Sequence, residues 1–75
     1  MTSAHELWRL FNRSGDALVC RLLPDPDGYL VTVTLRDEQI VSEPHRVFHA
    51  AMARADAMRT RFIAEGWNGV SHRSF

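Results

Sequence analysis

The period of the apolar residues changes once along this chain, and the change restricts the folds it can adopt. In the C-terminal half, apolar residues recur three and four positions apart, the spacing of one helix face. These residues are Phe48, Ala51, Ala55, Met58 and Phe62. Residues 29–36 instead alternate with a period of two, which is typical of a half-buried strand. The sequence therefore predicts a small sheet with one amphipathic helix laid across it.

Turn-forming residues divide the first part of the chain into predicted strands. The strands span residues 7–13, 17–23, 29–36 and 39–43, of which the fourth has the weakest pattern. Short polar or proline- and glycine-containing clusters separate them at positions 14–16, 24–28 and 37–38. Such clusters favour tight reversals, because proline fixes φ and glycine accepts positive φ. We expect consecutive strands to pair as antiparallel hairpins.

The start of the helix is predicted between Pro44 and His49. Pro44 lacks a backbone N–H, so it marks the expected boundary between sheet and helix. Ser42 or Glu43 is a candidate N-cap for an early start.

The end of the helix is marked by Gly66, a candidate left-handed C-cap. Trp67 follows where such motifs fold an apolar residue back onto the last turn. We expect residues 69–75 to fray and the ordered core to span about residues 6–67.

These elements predict an α+β fold, an antiparallel meander of three or four strands with one C-terminal helix packed on one face. The 75 residues allow a single small domain. A chain of this length buries only about 60% of the surface that its unfolded form exposes. We therefore expect one core and modest stability.

Charge and cysteine content indicate a cytoplasmic protein. Nine basic and nine acidic residues cancel, so no overall field attracts polyanions or an anionic membrane. The single cysteine, Cys20, cannot form an internal disulfide, which favours a reducing compartment. No apolar run approaches the roughly 18 residues of a membrane span, and the first residues do not resemble a secretion signal. We expect no membrane association.

Strand parity predicts which side chains face the helix. The inward set is Trp8, Leu10, Leu18, Cys20, Leu22, Tyr29, Val31, Val33 and Leu35. The opposite, open face then carries Arg9, Arg13, Arg21 and Arg36 beside Leu7, Phe11, Val19, Leu23, Leu30, Thr32 and Thr34. In the first three predicted strands, no acidic residue alternates onto this face. The open face is therefore predicted to be locally basic.

Three interpretations of the open face remain open. Guanidinium groups bind phosphates and Phe11 offers a stacking surface, so the face could bind nucleic acid through Arg9, Arg13, Arg21, Arg36 and Phe11. Arginine is also an ordinary outward residue, whose stem covers apolar neighbours while its head stays hydrated. In the third interpretation a second copy or another protein covers the apolar side chains of the face. Alternatively, strand twist and residues 70–75 cover the apolar side chains of this face within a single chain.

The remaining reactive residues do not form a recognisable site. His45 and His49 lie four apart, a ligand spacing on a helix, but only Glu43 stands near as a third ligand. Cys20 has no neighbour that would lower its pKa, and the segment around Asp25 and Asp27 is too short for a calcium loop. We predict no metal, no cofactor, no small-molecule substrate and no enzymatic activity.

The chain resembles a group of small bacterial proteins of uncharacterised function. The resemblance covers roughly residues 7–67: a strand opening Leu7-Trp8-Arg9-Leu10, a second strand with Cys20, a third over residues 29–35, and an alanine-rich helix ending Gly66-Trp67. It implies the fold and no activity. The order of strands and helix is also similar to the arm-type DNA-binding domains of integrases, although their lysine- and glycine-rich strand connections are missing here.

The sequence therefore predicts a small non-enzymatic binding or accessory protein that acts by protein–protein contact or self-association. The alternative is a nucleic-acid-binding module that uses the arginines of the open face. The two hypotheses differ in salt dependence, because phosphate contacts release counterions and weaken steeply as salt rises.

Overall fold

The computed structural model describes residues 4–69 and confirms the predicted α+β fold. The strands are β1 (His5–Phe11), β2 (Ala17–Asp25), β3 (Gly28–Leu35) and β4 (Glu38–His45), and the helix is α1 (Phe48–Ala64). The four strands form one antiparallel sheet in the order β1-β2-β3-β4. The predicted fourth strand is present and longer than expected. The predicted fraying of residues 70–75 lies outside the described residues.

The first strand begins and ends two residues earlier than predicted. Phe11 pairs with Ala17, so Arg13 belongs to the connection and not to the strand. This connection is held by Asn12, whose side-chain oxygen accepts a hydrogen bond from the Asp16 N–H at 2.9 Å. Its backbone carbonyl accepts the Gly15 N–H at 3.2 Å. An asparagine satisfying nearby backbone groups in this way is a common turn device.

The second connection is tighter than the predicted loop over residues 24–28. Asp25 pairs with Gly28, which leaves only Pro26 and Asp27 between the strands. The Asp25 carboxylate accepts the Asp27 N–H at 3.3 Å. Pro24 is therefore part of β2.

The third connection is a two-residue turn that contains no glycine. Leu35 pairs with Glu38, and the central residues Arg36 and Asp37 have φ of 53° and 64°. Two positive values are the pattern of a type I′ turn, in which asparagine and glycine are preferred. The third strand thus ends one residue before Arg36, which the sequence had placed inside it.

Replacing Asp37 by glycine is expected to raise the free energy of unfolding by about 0.5–1 kcal/mol. A left-handed conformation destabilises the folded state by roughly 1–2 kcal/mol when the residue has a β-carbon, and glycine avoids this cost. Part of the gain is lost, because glycine gives up more conformational entropy on folding. Urea denaturation followed by tryptophan fluorescence measures the change. Asp37→Ala is the control, because it keeps the β-carbon and should not stabilise; a loss of stability in Asp37→Gly would contradict this account.

Pro44 lies inside β4 and does not mark the start of the helix. β4 is an edge strand, where a missing N–H costs no ladder hydrogen bond on the open side. α1 begins within the predicted interval, but its N-cap is Val47, in an extended conformation and without a side-chain cap. Ser42 and Glu43 remain in the strand, so neither caps the helix as predicted.

α1 packs across one sheet face through small residues at its centre. Ala51, Ala55 and Met58 are buried, and the Trp8 indole N–H donates to the Ala55 carbonyl at 2.9 Å. The core between helix and sheet consists of Leu10, Leu18, Cys20, Leu22, Val31, Val33, Ala51, Ala55 and Met58. Phe48, which the helix periodicity assigned to the buried face, is 47% exposed, and Ile63 near the other end of α1 is 39% exposed. Phe48 nevertheless contacts Tyr29 of β3, with ring centroids 5.5 Å apart.

An ion-pair group ties α1 to the edge of the sheet. The Arg54 guanidinium donates to both Glu43 oxygens, at 3.0 and 3.3 Å from Nε, and His45 lies 3.3 Å from the same carboxylate. The hydrogen bond from Arg54 is the main reason that the Glu43 pKa is lowered. Glu43 is thus engaged on the helix side of β4.

The C-terminal end of α1 confirms the predicted glycine cap. Gly66 has φ of 112°, its N–H donates to the Ile63 carbonyl, and the Trp67 N–H donates to the Phe62 carbonyl. These two bonds define a Schellman motif. Asn68 then pairs with Phe11 through two backbone hydrogen bonds, which closes one end of the β1 edge.

The described helix is neither long nor apolar enough to cross a membrane.

Candidate binding site on the open sheet face

Except at Leu7, strand register agrees with the predicted division of the strand residues into two faces. Arg9 stands opposite Val19, and Val19 opposite Thr34. Arg21 lies two residues from Val19 and opposite Thr32, so Arg9 and Arg21 share the face that α1 does not cover. Within residues 4–69 the only helix lies on the other side, and we call this uncovered side the open face.

Three of the four predicted arginines line one depression on the open face. Its volume is about 430 Å³, which falls in the range of small-ligand sites. The lining is Arg9, Gly15, Asp16, Ala17, Val19, Arg21, Thr34, Arg36 and Asp37. We call this feature the arginine depression. It brings together residues from three strands and two turns, which are far apart in the sequence.

Arg36 is fixed at the depression by an ion pair with Asp16. Its Nε and Nη2 donate to the two carboxylate oxygens at 3.1 and 2.8 Å. Asp16 also accepts from the Asn12 amide at 3.1 Å. The hydrogen bonds from Arg36 and then Asn12 lower the pKa of Asp16 to about 2. The register of β2 with β3 sets Leu35 opposite Leu18, so Arg36, the next residue, lies beside the β1–β2 connection that carries Asp16.

The Asp16 pair predicts a defined loss of stability at acid pH. Because the pKa of Asp16 is about 2 in the folded protein and near 3.8 when the chain is unfolded, its contribution is complete above about pH 4 and lost as the pH falls toward 2. The free energy of unfolding should therefore decrease more steeply over this window in the wild type than in Asp16→Asn. Urea midpoints at pH 2–6 measure this. Arg36→Gln should flatten the same window, and parallel profiles for all three proteins would contradict the account.

Arg9 is held in the same manner by Glu6. Its Nε and Nη2 lie 3.2 and 2.8 Å from the carboxylate oxygens, and the hydrogen bond from Arg9 lowers the Glu6 pKa. Arg21 differs from both. Its Nη1 donates to the Thr34 hydroxyl at 3.2 Å, and within the described residues it forms no ion pair with a carboxylate.

The prediction that no acidic residue occupies this face was wrong. β1 begins at His5, so Glu6 is a strand residue opposite Arg21. Asp16 joins the face from the β1–β2 connection. Glu6 was missed because the first strand was placed two residues too late, and because a shift in pairing between Glu6 and Trp8 puts Glu6 on the open face against simple alternation. Asp16 was missed because its pairing with a residue 20 positions away depends on register.

Two of the five predicted site residues lie outside the depression. Arg13 is exposed in the β1–β2 connection, and Phe11 is half-buried beside Asn68. Thr34, whose hydroxyl binds Arg21, was placed on this face by parity but was not recognised as a site residue. The β2–β3 register places Thr34 opposite Val19, two residues from Arg21, and this register cannot be read from the sequence alone.

The predicted excess of apolar surface on the open face is smaller than expected. Val19 is only 6% exposed, and Leu23, Leu30 and Phe11 are half-buried. Leu7 was assigned to this face but packs against the core, because the pairing shifts between Glu6 and Trp8. Three of the exposed large apolar residues lie outside the sheet: Val47, Phe48 and Ile63. The fourth, Ile40, lies in the edge strand β4, two residues from Ser42 at the shift in β3–β4 pairing.

The other candidate chemistry is not assembled. His45 lies in β4, so it does not share a helix face with His49 as that spacing suggested. Among the described residues, no group of three or more His, Cys, Asp or Glu side chains is arranged to hold a metal ion. Cys20 is fully buried, and burial raises the pKa of its thiol to about 11. A thiol in this state is a poor nucleophile.

Comparison of the chain with protein-family models, curated proteins and solved structures found no match.

Proposed function

We propose that this protein is a small non-enzymatic binding protein that acts through its open face by protein–protein contact. The observation that supports this most is the convergence of Arg9, Arg21 and Arg36 on one depression of a sheet face that α1 leaves uncovered. Arginine is enriched at protein interfaces because its planar head makes several hydrogen bonds while its stem packs on apolar groups.

The dimensions of the open face suit a modest interface. Four strands about 4.8 Å apart and roughly 27 Å long present about 500 Å². Two partners would together bury about 1,000 Å², the lower end of specific protein interfaces. The proposal therefore predicts a reversible complex, either with another protein or with a second copy of this chain.

The charge of the face favours a protein partner over a polyanion. Glu6 and Asp16 are bound to two of the three arginines, and Asp37 also lines the depression. A continuous row of phosphates would be repelled by these carboxylates. A protein surface, in contrast, can place a single acidic group among the arginines. In this mechanism the contact is fixed by the arginines and extended by half-buried apolar neighbours.

Nucleic-acid binding is the second candidate, and Arg21 is the observation that favours it. Its charge acts on Glu6 and helps to lower the pKa of that carboxyl, but within the described residues its guanidinium hydrogen-bonds only to a hydroxyl, so its other N–H groups are available to a phosphate. Affinity that falls steeply as salt rises would distinguish this function from protein contact.

We also propose a reducing, cytoplasmic location, supported by the single buried Cys20 thiol. The resemblance to small bacterial proteins remains a prediction.

Site-specific photo-crosslinking in cells that make the protein tests the proposed function. Ser42 lies on the open face opposite Thr32 and is exposed, and Thr60 is exposed on α1. A photoreactive side chain at position 42 should give a discrete adduct whose mass identifies a protein or a second copy. Position 60 is the matched control. Equal labelling at both positions would contradict the proposal, and nucleic-acid adducts at position 42 alone would favour the second candidate.

A further inference from the structure

We propose that the arginine depression binds a phosphate group carried on a side chain of the protein partner. This inference rests on the proposed function and names the chemistry that the open face recognises. The phosphate-binding residues are Arg9, Arg21 and Arg36, with Thr34 as a positioning residue.

The two outer arginines are oriented but not saturated by their carboxylates. Arg9 and Arg36 each use Nε and Nη2 in a two-point contact, with Glu6 and Asp16 respectively. Within the described residues their Nη1 atoms form no hydrogen bond. A guanidinium that is already fixed loses less conformational freedom when it binds a ligand. The carboxylates therefore prepare these side chains for a further acceptor.

Arg21 supplies further donors to the same depression. Only its Nη1 is engaged, by the Thr34 hydroxyl at 3.2 Å, so Nε and Nη2 have no acceptor among the described residues. Arg21 is half-buried, and a charged hydrogen bond formed there is screened less than one in bulk solvent.

The number of donors favours phosphate over carboxylate. A carboxylate has two oxygens and is satisfied by the fork of one guanidinium. A phosphate monoester has three terminal oxygens and a charge of about −1.5 to −2 at neutral pH. Three arginines around one depression match that larger demand, as arginine clusters do in phosphorylated-peptide recognition. The lining carries three positive and two negative charges, and Glu6, bound to Arg9 beside the lining, offsets the remaining positive charge. Without a large positive excess, the site is less suited to a chain of phosphates than to a single phosphate group.

Backbone strain at Arg36 supports a functional role for this side chain. Both Arg36 and Asp37 occupy the left-handed region, at a cost that glycine and asparagine avoid. Arg36 nevertheless occupies this position, where it pairs with Asp16 and lines the depression. We infer that the position of its side chain has a function that offsets the conformational cost.

NMR titration of the isotope-labelled full chain tests the proposal. The probes are N-acetyl-O-phosphoserine amide, its unphosphorylated analogue, inorganic phosphate and a single-stranded oligonucleotide, all at constant ionic strength. The phosphorylated probe should give saturable shifts at Val19, Arg21 and Thr34, and inorganic phosphate should shift the same signals. The unphosphorylated analogue should shift none of them.

Arg21→Gln should weaken binding of the phosphorylated probe by about tenfold or more, because a charge-assisted hydrogen bond is lost. Arg21→Lys keeps the charge without the planar fork and should also bind less tightly. Arg59→Gln, on the exposed side of α1, is the matched control and should bind as the wild type does. Amide spectra of each variant show whether it is folded.

Three outcomes would overturn the inference: no saturable shift with the phosphorylated probe, equal affinity in folded Arg21→Gln, or tighter and strongly salt-dependent binding of the oligonucleotide. A protein adduct at position 42 together with no phosphate binding would overturn this inference and leave the proposed function standing. Phosphate binding without any protein adduct would overturn both the proposed function and the protein source of the phosphate, and would leave only a phosphate site on the open face.

Discussion

Leu10→Ala is expected to lower the free energy of unfolding by roughly 3 kcal/mol, within the range of about 2–5 kcal/mol for a buried leucine. Leu10 is a residue of β1 and is completely buried in the core between the sheet and α1. Its truncation therefore leaves a cavity that the neighbouring side chains fill only in part. A domain of this size has a total stability of about 4–11 kcal/mol. Urea denaturation followed by the fluorescence of Trp8 and Trp67 should therefore show a large shift of the midpoint.

Leu30→Ala is the matched control, because it makes the same chemical change on the opposite face of the sheet. Leu30 is half-buried on the open face, and we expect a loss of about 1 kcal/mol from the smaller area removed from water. Equal losses in the two variants would contradict the assignment of a covered face and an open face.

Gly28→Ala is expected to lower the free energy of unfolding by about 2 kcal/mol or more. Gly28 has φ of 145°, a conformation that residues with a β-carbon rarely adopt. A β-carbon here would also overlap the carbonyl oxygen of His45 and approach Arg46 Cα to 2.8 Å. These are backbone atoms and cannot rotate away, so the β2–β3 turn would have to separate from the end of β4. Urea denaturation measures the loss.

Gly66→Ala separates the two causes of this loss. Gly66 also has positive φ, at 112°, but nothing lies within 4 Å of a β-carbon built there. Gly66→Ala should lower the free energy of unfolding by only about 1 kcal/mol, which is the cost of positive φ without a steric overlap. If both variants lost the same stability, close backbone approach at Gly28 would play no role.

The sequence predicted the faces of the sheet and helix well because periodicity reports burial directly. Leu10, Cys20 and Val33 face α1 as strand parity required, and Gly66 with Trp67 ends the helix through a local glycine motif. The limits of elements were less predictable. Pro44 reads as a boundary, yet on an edge strand its missing N–H has no consequence, so the ladder continues to His45.

The candidate site was only partly predictable. Parity placed Arg9 and Arg21 on one face, since it depends only on alternation along a strand. The pairing of Arg36 with Asp16 requires both the register of β2 with β3 and a left-handed turn at a residue that does not favour one. Neither property is visible in the local sequence, so the neutralising carboxylates were found only in the structure.

The proposed function requires that this protein bind its partner through the arginine-lined open face. Its most direct test is the crosslink yield from position 42, measured in the otherwise wild-type chain and in chains that also carry Arg21→Gln or Arg59→Gln. We predict that Arg21→Gln lowers the yield about tenfold, in line with the loss of one charge-assisted hydrogen bond, while Arg59→Gln leaves it unchanged. The same yield from all three folded proteins would contradict the claim.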